Sequence, residues 1–275
     1  MLRQSLIDYG KPLEATEAET PAPKGSEVLL RVSHCGVCHS DLHLQDGYFW
    51  LGGEQKLDVR GLRTLPFTFG HEIAGTAEAA GPDARDVAVG RRYAAYPWIG
   101  CGACPVCARG DEHLCNTPRA LGVTVDGGYA THVLVPHPRY LLDVDGIAPQ
   151  IAGLLMCSGL TGYSAIKKAL PYLRSGPLLI VGLGGVGMMG LQFARALTDA
   201  PILAVDIAAR MLASTDIARQ LRQLSTWVDI FILLTLLFPG SLGNLGFLRI
   251  LRLWSLSKSG FLWRPLKQLG LGQWQ

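Results

Sequence analysis

No apolar run follows a basic start in this 275-residue chain; MLRQSLIDYGKPLEATEAET turns acidic instead. That argues against a secretory leader, and a cytoplasmic address is the expectation. Charge of one sign is scarce too. Twenty-five basic against 22 acidic side chains, a net +3, leave no general basic surplus, so no nucleic-acid partner is expected. No internal repeat is visible, which excludes a solenoid or propeller. An even cysteine count is missing as well: there are seven, at 35, 38, 101, 104, 107, 115 and 157. In a reducing compartment such clustered spacing favours metal over disulfide. With 49% hydrophobic residues the chain is not disordered, and its length fits one large domain or two ordinary ones.

What is present changes character along the chain. Residues 210–275 carry eight basic and two acidic side chains, whereas 1–209 carry 17 and 20. EVLLRVSHCG at 27–36, IAGTAEAAG near 73 and YATHVLVP near 129 alternate as strands do, with Gly and Pro punctuation between them. A β-rich domain with its cysteines on loops is expected there. From about 151 the pattern turns helical in IAGLLMCSGLTGYSAIKKAL. PLLIVGLGGVGMMGLQFARAL then reads as strand, glycine turn and helix, and PILAVD as a second buried strand, making a βαβ unit.

Two groups of residues have the spacing of metal ligands. Cys101, Cys104, Cys107 and Cys115 form C-x2-C-x2-C-x7-C in a glycine- and proline-bearing loop, suited to a closed tetrahedral Zn²⁺; an iron–sulfur site or a coincidental cluster are the other readings. Such a site leaves no open position, so it pins a loop. The second group gathers HCGVCHSDLH at 34–43, GHE at 70–72 and Cys157. Two cysteines and a histidine with one open position form a known catalytic zinc set. Further along, Gly182, Gly184, Gly185 and Gly187 carry G-x-G-x-x-G between a strand and a helix, the setting that lets a pyrophosphate approach a helix N-terminus. Asp206 ends the next strand, where an acid accepts from ribose hydroxyls and favours NAD over NADP. A glycine turn without ligand and an aspartate acting as a helix cap are the plainer readings.

The order C-H-S-D-x-x-H, GHE, four-cysteine loop and G-L-G-G-V-G resembles the zinc-dependent alcohol dehydrogenases of the medium-chain dehydrogenase/reductase family, over residues 1 to about 210. The resemblance implies an α/β plus β fold: a GroES-like β-barrel catalytic domain at 1–155 and a Rossmann-type NAD-binding domain begun at 156–210. It implies two Zn²⁺ per chain and NAD as cofactor, with a small alcohol or aldehyde as substrate. By motif position, Cys38 and not Cys35 joins His71 and Cys157 at the catalytic zinc, with Glu72 behind them or as an occasional fourth ligand. Ser40 would hydrogen-bond the alcohol and His43 pass its proton toward solvent through the cofactor ribose, while His39 would lie near the pyrophosphate and Thr161 near the nicotinamide. Asp41 fits either a place beside the ligands or an exposed loop. Tyr48, Phe49, Trp50 and Trp98 fit either a substrate pocket or plain core. A homo-oligomer is compatible with all of this.

The stretch 211–275 departs from the family. VDIFILLTLLFPG is a solid apolar run, and Arg249, Arg252, Ser255 and Lys258 recur at intervals of three in a pattern that resembles a voltage-sensing helix, with Asp229 resembling the helix before it. Residues 227–238 would make about 18 Å of helix against about 30 Å of hydrocarbon, too short to span a bilayer alone. A fusion of unrelated sequence or an out-of-frame stretch are the blander readings, and the tail's composition is compatible with membrane contact. A second βαβ half is not legible there, so the expectation is a dehydrogenase with slow turnover. The alternative is an inactive zinc-binding remnant or a fusion with a membrane-associated tail.

Overall fold

The computed structural model describes residues 1–52, 54–174 and 176–206. The tail readings for 211–275, including membrane contact and the voltage-sensor likeness, lie outside the described residues. The chain divides into two compact units, one running from Met1 to Thr161 and the other beginning at Gly162. No described helix is long and apolar enough to cross a membrane.

The first unit is built mainly of short strands. Its elements run β1 (Leu2–Leu6), β2 (Glu14–Glu17), β3 (Val28–Gly36), α1 (His39–Asp46), β4 (Tyr48–Gly52), β5 (Gln55–Asp58), β6 (Phe67–Thr68), β7 (Glu72–Ala80) and β8 (Arg92–Ala95). There follow the single turn α2 (Pro105–Ala108), β9 (His132–Val135), β10 (Leu141–Asp143) and the short α3 (Pro149–Ala152), and α4 (Ser158–Ala169) begins in this unit and continues into the second. Five strands form an antiparallel sheet ordered β10-β8-β7-β3-β9, and a three-stranded sheet runs β2-β1-β6. Residues two apart on neighbouring strands supply the main core: Val28 and Leu30, Tyr93 and Ala95, Val133 and Val135, with Ile73 and Ala77 between. Each such apolar side chain, once buried, contributes about 1.5–3 kcal/mol. Leu6, Leu44, Val59, Phe67 and Phe69 make a second cluster that holds α1 against the smaller sheet.

One register sets up the site. Gly36 at the end of β3 pairs with Glu72 at the start of β7. The chain leaving β3 therefore reaches Cys38 two residues later, close to His71, which immediately precedes β7.

The continuous helix expected across 151–170 is interrupted. After α3 comes a 3₁₀ turn, Gly153–Met156, and Cys157 leaves the helical region at φ −126°, ψ −83° before α4 begins. At the break the Met156 carbonyl accepts from Trp98 Nε1–H at 3.1 Å, an outside partner of the kind that accompanies helix interruptions, and Cys157 stands at the head of α4.

The second unit holds β11 (Leu178–Val181), α5 (Gly185–Leu197) and β12 (Ile202–Val205). β11 and β12 are parallel, with Leu178 opposite Ile202 and Val181 opposite Val205. A strand, a glycine turn, a helix and a parallel strand make one βαβ unit of a Rossmann-type domain.

Candidate metal centre

Two clusters of ligand-type side chains are assembled among the described residues. In the first, Cys101, Cys104, Cys107 and Cys115 place their sulfurs within 4.8 Å of one another. Three of the separations are 3.5 Å (104 to 107), 3.9 Å (101 to 107) and 3.9 Å (104 to 115). A tetrahedral Zn²⁺ with bonds of about 2.3 Å sets its sulfurs about 3.8 Å apart, so the cage has the right size. Backbone N–H groups of Cys101 and Thr117 donate to Cys115 Sγ, and that of Cys107 to Cys104 Sγ, as suits thiolates. Cys101 is lowered to about 6 by such donors, from Ala103 and Cys104 first, while burial among the other sulfurs pushes Cys107 up to about 12. The loop is tied back to the sheet by Glu112, which accepts from Tyr140 Oη at 2.6 Å and from Gly100 N at 3.2 Å and pairs with Arg139 at 2.7 Å.

The second cluster is Cys38, His71, Glu72 and Cys157, again within 4.8 Å. Cys38 caps α1, His71 is fully buried, and the two sulfurs are 4.0 Å apart. His71 Nδ1 lies 3.1 Å from Asp41 Oδ1, while its Nε2 is buried with no hydrogen-bond partner among the described residues. A buried ring nitrogen without such a partner, grouped with two sulfurs and a carboxylate, is what a metal-binding site would present. The electrostatics agree. The Cys157 thiol and the His71 ring hold Cys38 down to about 3; burial opposes charge on His71, but Asp41 and the Cys38 sulfur raise it to about 10. The hydrogen bond to Cys38 first, then burial, pushes Cys157 upward, and burial first, then the Cys38 charge, raises Glu72. Two sulfurs, an imidazole and a carboxyl group crowded into one buried spot would be accommodated by a divalent cation, which stabilises their ligating forms, and the donor set fits zinc.

The other residues singled out in the sequence divide clearly. Ser40, two residues after Cys38 on the first turn of α1, is among the groups that lower the Cys38 thiol. The His39 and His43 rings, one turn apart, are 4.8 Å centre to centre and tilted by 45°, and His43 lies 4.9 Å from Phe49 at a similar tilt. The Trp98 ring lies 5.5 Å from that of His71. Tyr48 and Trp50 are on the β4–β5 hairpin, where the Lys56 ammonium sits over both rings at 4.1 and 4.2 Å. Asp41 resolves in favour of the ligands, at 4% exposure. Cys35 is outside the cluster, with Sγ 3.8 Å from the Gly36 carbonyl and burial raising its thiol. Thr161 is in α4, its N–H donating to the Cys157 carbonyl at 2.9 Å. In the second unit, Gly182, Gly184, Gly185 and Gly187 form the turn into α5. A Cβ on Gly187 would lie 1.8 Å from the Gly182 carbonyl oxygen, so only glycine fits there. Asp206 Oδ2 accepts from Leu183 N–H at 3.3 Å, fastening the end of β12 to the turn.

Two residues that sequence reasoning passed over also meet the site. Tyr129 Oη donates to Asp41 Oδ2 at 2.7 Å, and Ser158 Oγ to Glu72 Oε1 at 3.4 Å. Neither lies in a motif, and only the fold brings them in from 88 and 86 residues away.

Residues 24–145 match the alcohol dehydrogenase GroES-like domain. An NAD-dependent alcohol dehydrogenase of Sulfurisphaera tokodaii is 41% identical over 213 residues, 77% of this chain and 60% of its own length. Over about its first 210 residues, this chain belongs to the zinc-type alcohol dehydrogenase family. A second alcohol dehydrogenase of that description, from Saccharolobus solfataricus, is 43% identical over 204 residues, 74% of this chain and 57% of the relative. Among solved structures, the alcohol dehydrogenase of Aeropyrum pernix superposes with a TM-score of 0.66 at 27% identity, covering 84% of this chain and 68% of that one. The chain thus spans about 60% of the length of the two curated alcohol dehydrogenases.

Asp41 gives the first expectation. Asp41→Asn should weaken metal binding at the Cys38 cluster by about 10–100-fold, because the carboxylate that orients a ligating imidazole is lost. Chelator competition measures this, and the four-cysteine site should be unchanged.

Proposed function

We propose that this protein is a zinc-dependent, NAD-linked alcohol dehydrogenase, moving hydride reversibly between a primary or secondary alcohol and NAD. The observation that carries the reading is the Cys38–His71–Glu72–Cys157 cluster with its unpartnered His71 Nε2. Cys38, His71 and Cys157 would hold the metal, with Glu72 beside them. Zinc at such a site acts as a Lewis acid that draws charge from an alcohol or carbonyl oxygen and makes the hydroxyl easier to deprotonate.

The chain's own residues would handle the proton. Ser40, on the first turn of α1, would accept at Oγ the hydroxyl proton of the alcohol. His43, three residues on and on the same side of the helix, would take it at the imidazole and release it outward. Trp98, beside His71, would shape the space for the substrate and help exclude water. The glycine turn at 182–187 would receive the pyrophosphate, and Asp206 the adenosine ribose.

The assay is NAD reduction by a panel of alcohols, with metal content measured in parallel. Turnover should depend on alcohol and disappear when the metal is stripped. NAD-linked turnover that survives metal removal would sink the reading. The cofactor half has its own test: Asp206→Ala should lose about tenfold in NAD affinity, as expected when hydrogen bonds to a charged acceptor are removed. Titration calorimetry should show the preference over NADP shrinking; an unchanged preference would mean that Asp206 does not read the ribose.

A further inference from the structure

We propose that Tyr129 is a positioning residue for the ligand His71: its phenol, acting through Asp41, fixes the imidazole so that Nδ1 is engaged and Nε2 is presented to the cation. This rests on reading Cys38, His71 and Cys157 as a metal site.

The geometry is a short chain of hydrogen bonds. Tyr129 Oη is 2.7 Å from Asp41 Oδ2. The same Oδ2 accepts the backbone N–H of Cys38 at 3.0 Å, and Oδ1 faces His71 Nδ1 at 3.1 Å. One buried carboxylate therefore ties the backbone of one ligand to the ring of another, and the phenol is its third fastening. A carboxylate in such a place needs its lone pairs satisfied, or it rotates toward whatever donors remain. Without Tyr129 Oη, Oδ2 keeps the Cys38 N–H and Oδ1 keeps His71 Nδ1, so the carboxylate loses one of its three fastenings and only the Cys38 backbone steadies it against the ring it must aim.

Tyr129 is itself rigidly placed. Its N–H donates to the Phe69 carbonyl at 2.9 Å, and its own carbonyl accepts from Gln4 N–H at 2.7 Å. Its ring lies so close over Gly70, the residue before His71, that a Cβ there would come within 2.6 Å of Tyr129 Cδ1. Gly70 also has φ +95°, so the position suits glycine twice over. The ring packs beside the backbone that carries the ligand, and the hydroxyl reaches past it to Asp41 at 2.7 Å, with the Gly36 carbonyl a longer acceptor at 3.3 Å. These two contributions are separable, because Tyr129→Phe keeps the ring and removes only the oxygen.

The experiment uses the full chain loaded with Zn²⁺, with chelator competition resolving the two sites in four proteins: parent, Tyr129→Phe, Asp41→Asn and the double variant. Tyr129→Phe should weaken the Cys38-cluster metal about tenfold, the low end for groups behind a ligand, and leave the four-cysteine metal as it was. Because the phenol acts through Asp41, the double variant should bind no more weakly than Asp41→Asn alone. With Co²⁺ in the catalytic position, the visible ligand-field bands should shift in Tyr129→Phe, which a purely structural tyrosine would not cause. An unchanged affinity and spectrum, or additive losses in the double variant, would overturn the proposal. So would a Tyr129→Phe chain that fails to fold, since the hydroxyl would then serve the fold. A parent that holds metal only in the four-cysteine loop would instead remove the metal site itself, and this proposal with it.

Discussion

Cys104→Ser should release one metal ion per chain and unfold the loop between residues 100 and 119 at temperatures where the parent is intact. The loop has little else to hold it. Its regular structure is one turn, α2, and a 3₁₀ turn at Glu112–Leu114; its apolar burial is slight, with Leu114 59% exposed. The four sulfurs, set 3.5–3.9 Å apart where measured, supply the order instead. In small zinc domains the metal contributes on the order of 10–16 kcal/mol, comparable with the whole stability of many domains. Proteolysis of the variant should therefore begin in this loop, and its melting temperature should fall sharply. The Glu112–Arg139–Tyr140 contacts anchor one side and would keep the loop near the sheet without holding its shape. A variant that keeps both metals and melts with the parent would show that the cage is incidental.

Cys38→Ala should do the reverse, abolishing turnover while sparing the fold. The ligand sits at the cap of α1, and the helix retains Leu44 in its core and the Asp41 contact to residue 38 through the backbone. What is lost is the Lewis acid, worth several kcal/mol of barrier, so activity should fall about 10³-fold or more at about 1.4 kcal/mol per tenfold. Circular dichroism and the melting curve should stay near those of the parent. On the proposed reading, one cluster would hold structure and the other would do chemistry. A Cys38→Ala chain that unfolds, or one that keeps its turnover, would contradict that division of labour.

Much of this was legible before any coordinates. Cys101, Cys104, Cys107 and Cys115 are close in sequence, and thiolates at that spacing have few other uses, so the loop announces itself. The Cys38, His71 and Cys157 set is scattered over 119 residues. Its reading depended on family likeness, and the register that pairs Gly36 with Glu72 supplies the physical reason the ligands meet. The break at Cys157 was hidden, because helical periodicity describes side chains and says nothing of a Trp98 N–H taking the Met156 carbonyl. Asp41 was ambiguous for a similar cause: an aspartate in a histidine-rich loop looks the same buried or exposed until the strand carrying His71 is placed beside it. Tyr129 gave no signal, since a tyrosine in an alternating strand-like run is ordinary until its hydroxyl meets a buried carboxylate. In the glycine turn, by contrast, the 1.8 Å approach at Gly187 gives the reason for a residue that the fingerprint had already marked.

The most direct test of the account is the zinc content of the fully loaded chain, by elemental analysis against protein concentration. Two Zn²⁺ per chain are predicted, falling to one in His71→Ala with the four-cysteine ion retained. A parent that binds a single ion, or a His71→Ala variant that still binds two, would contradict it.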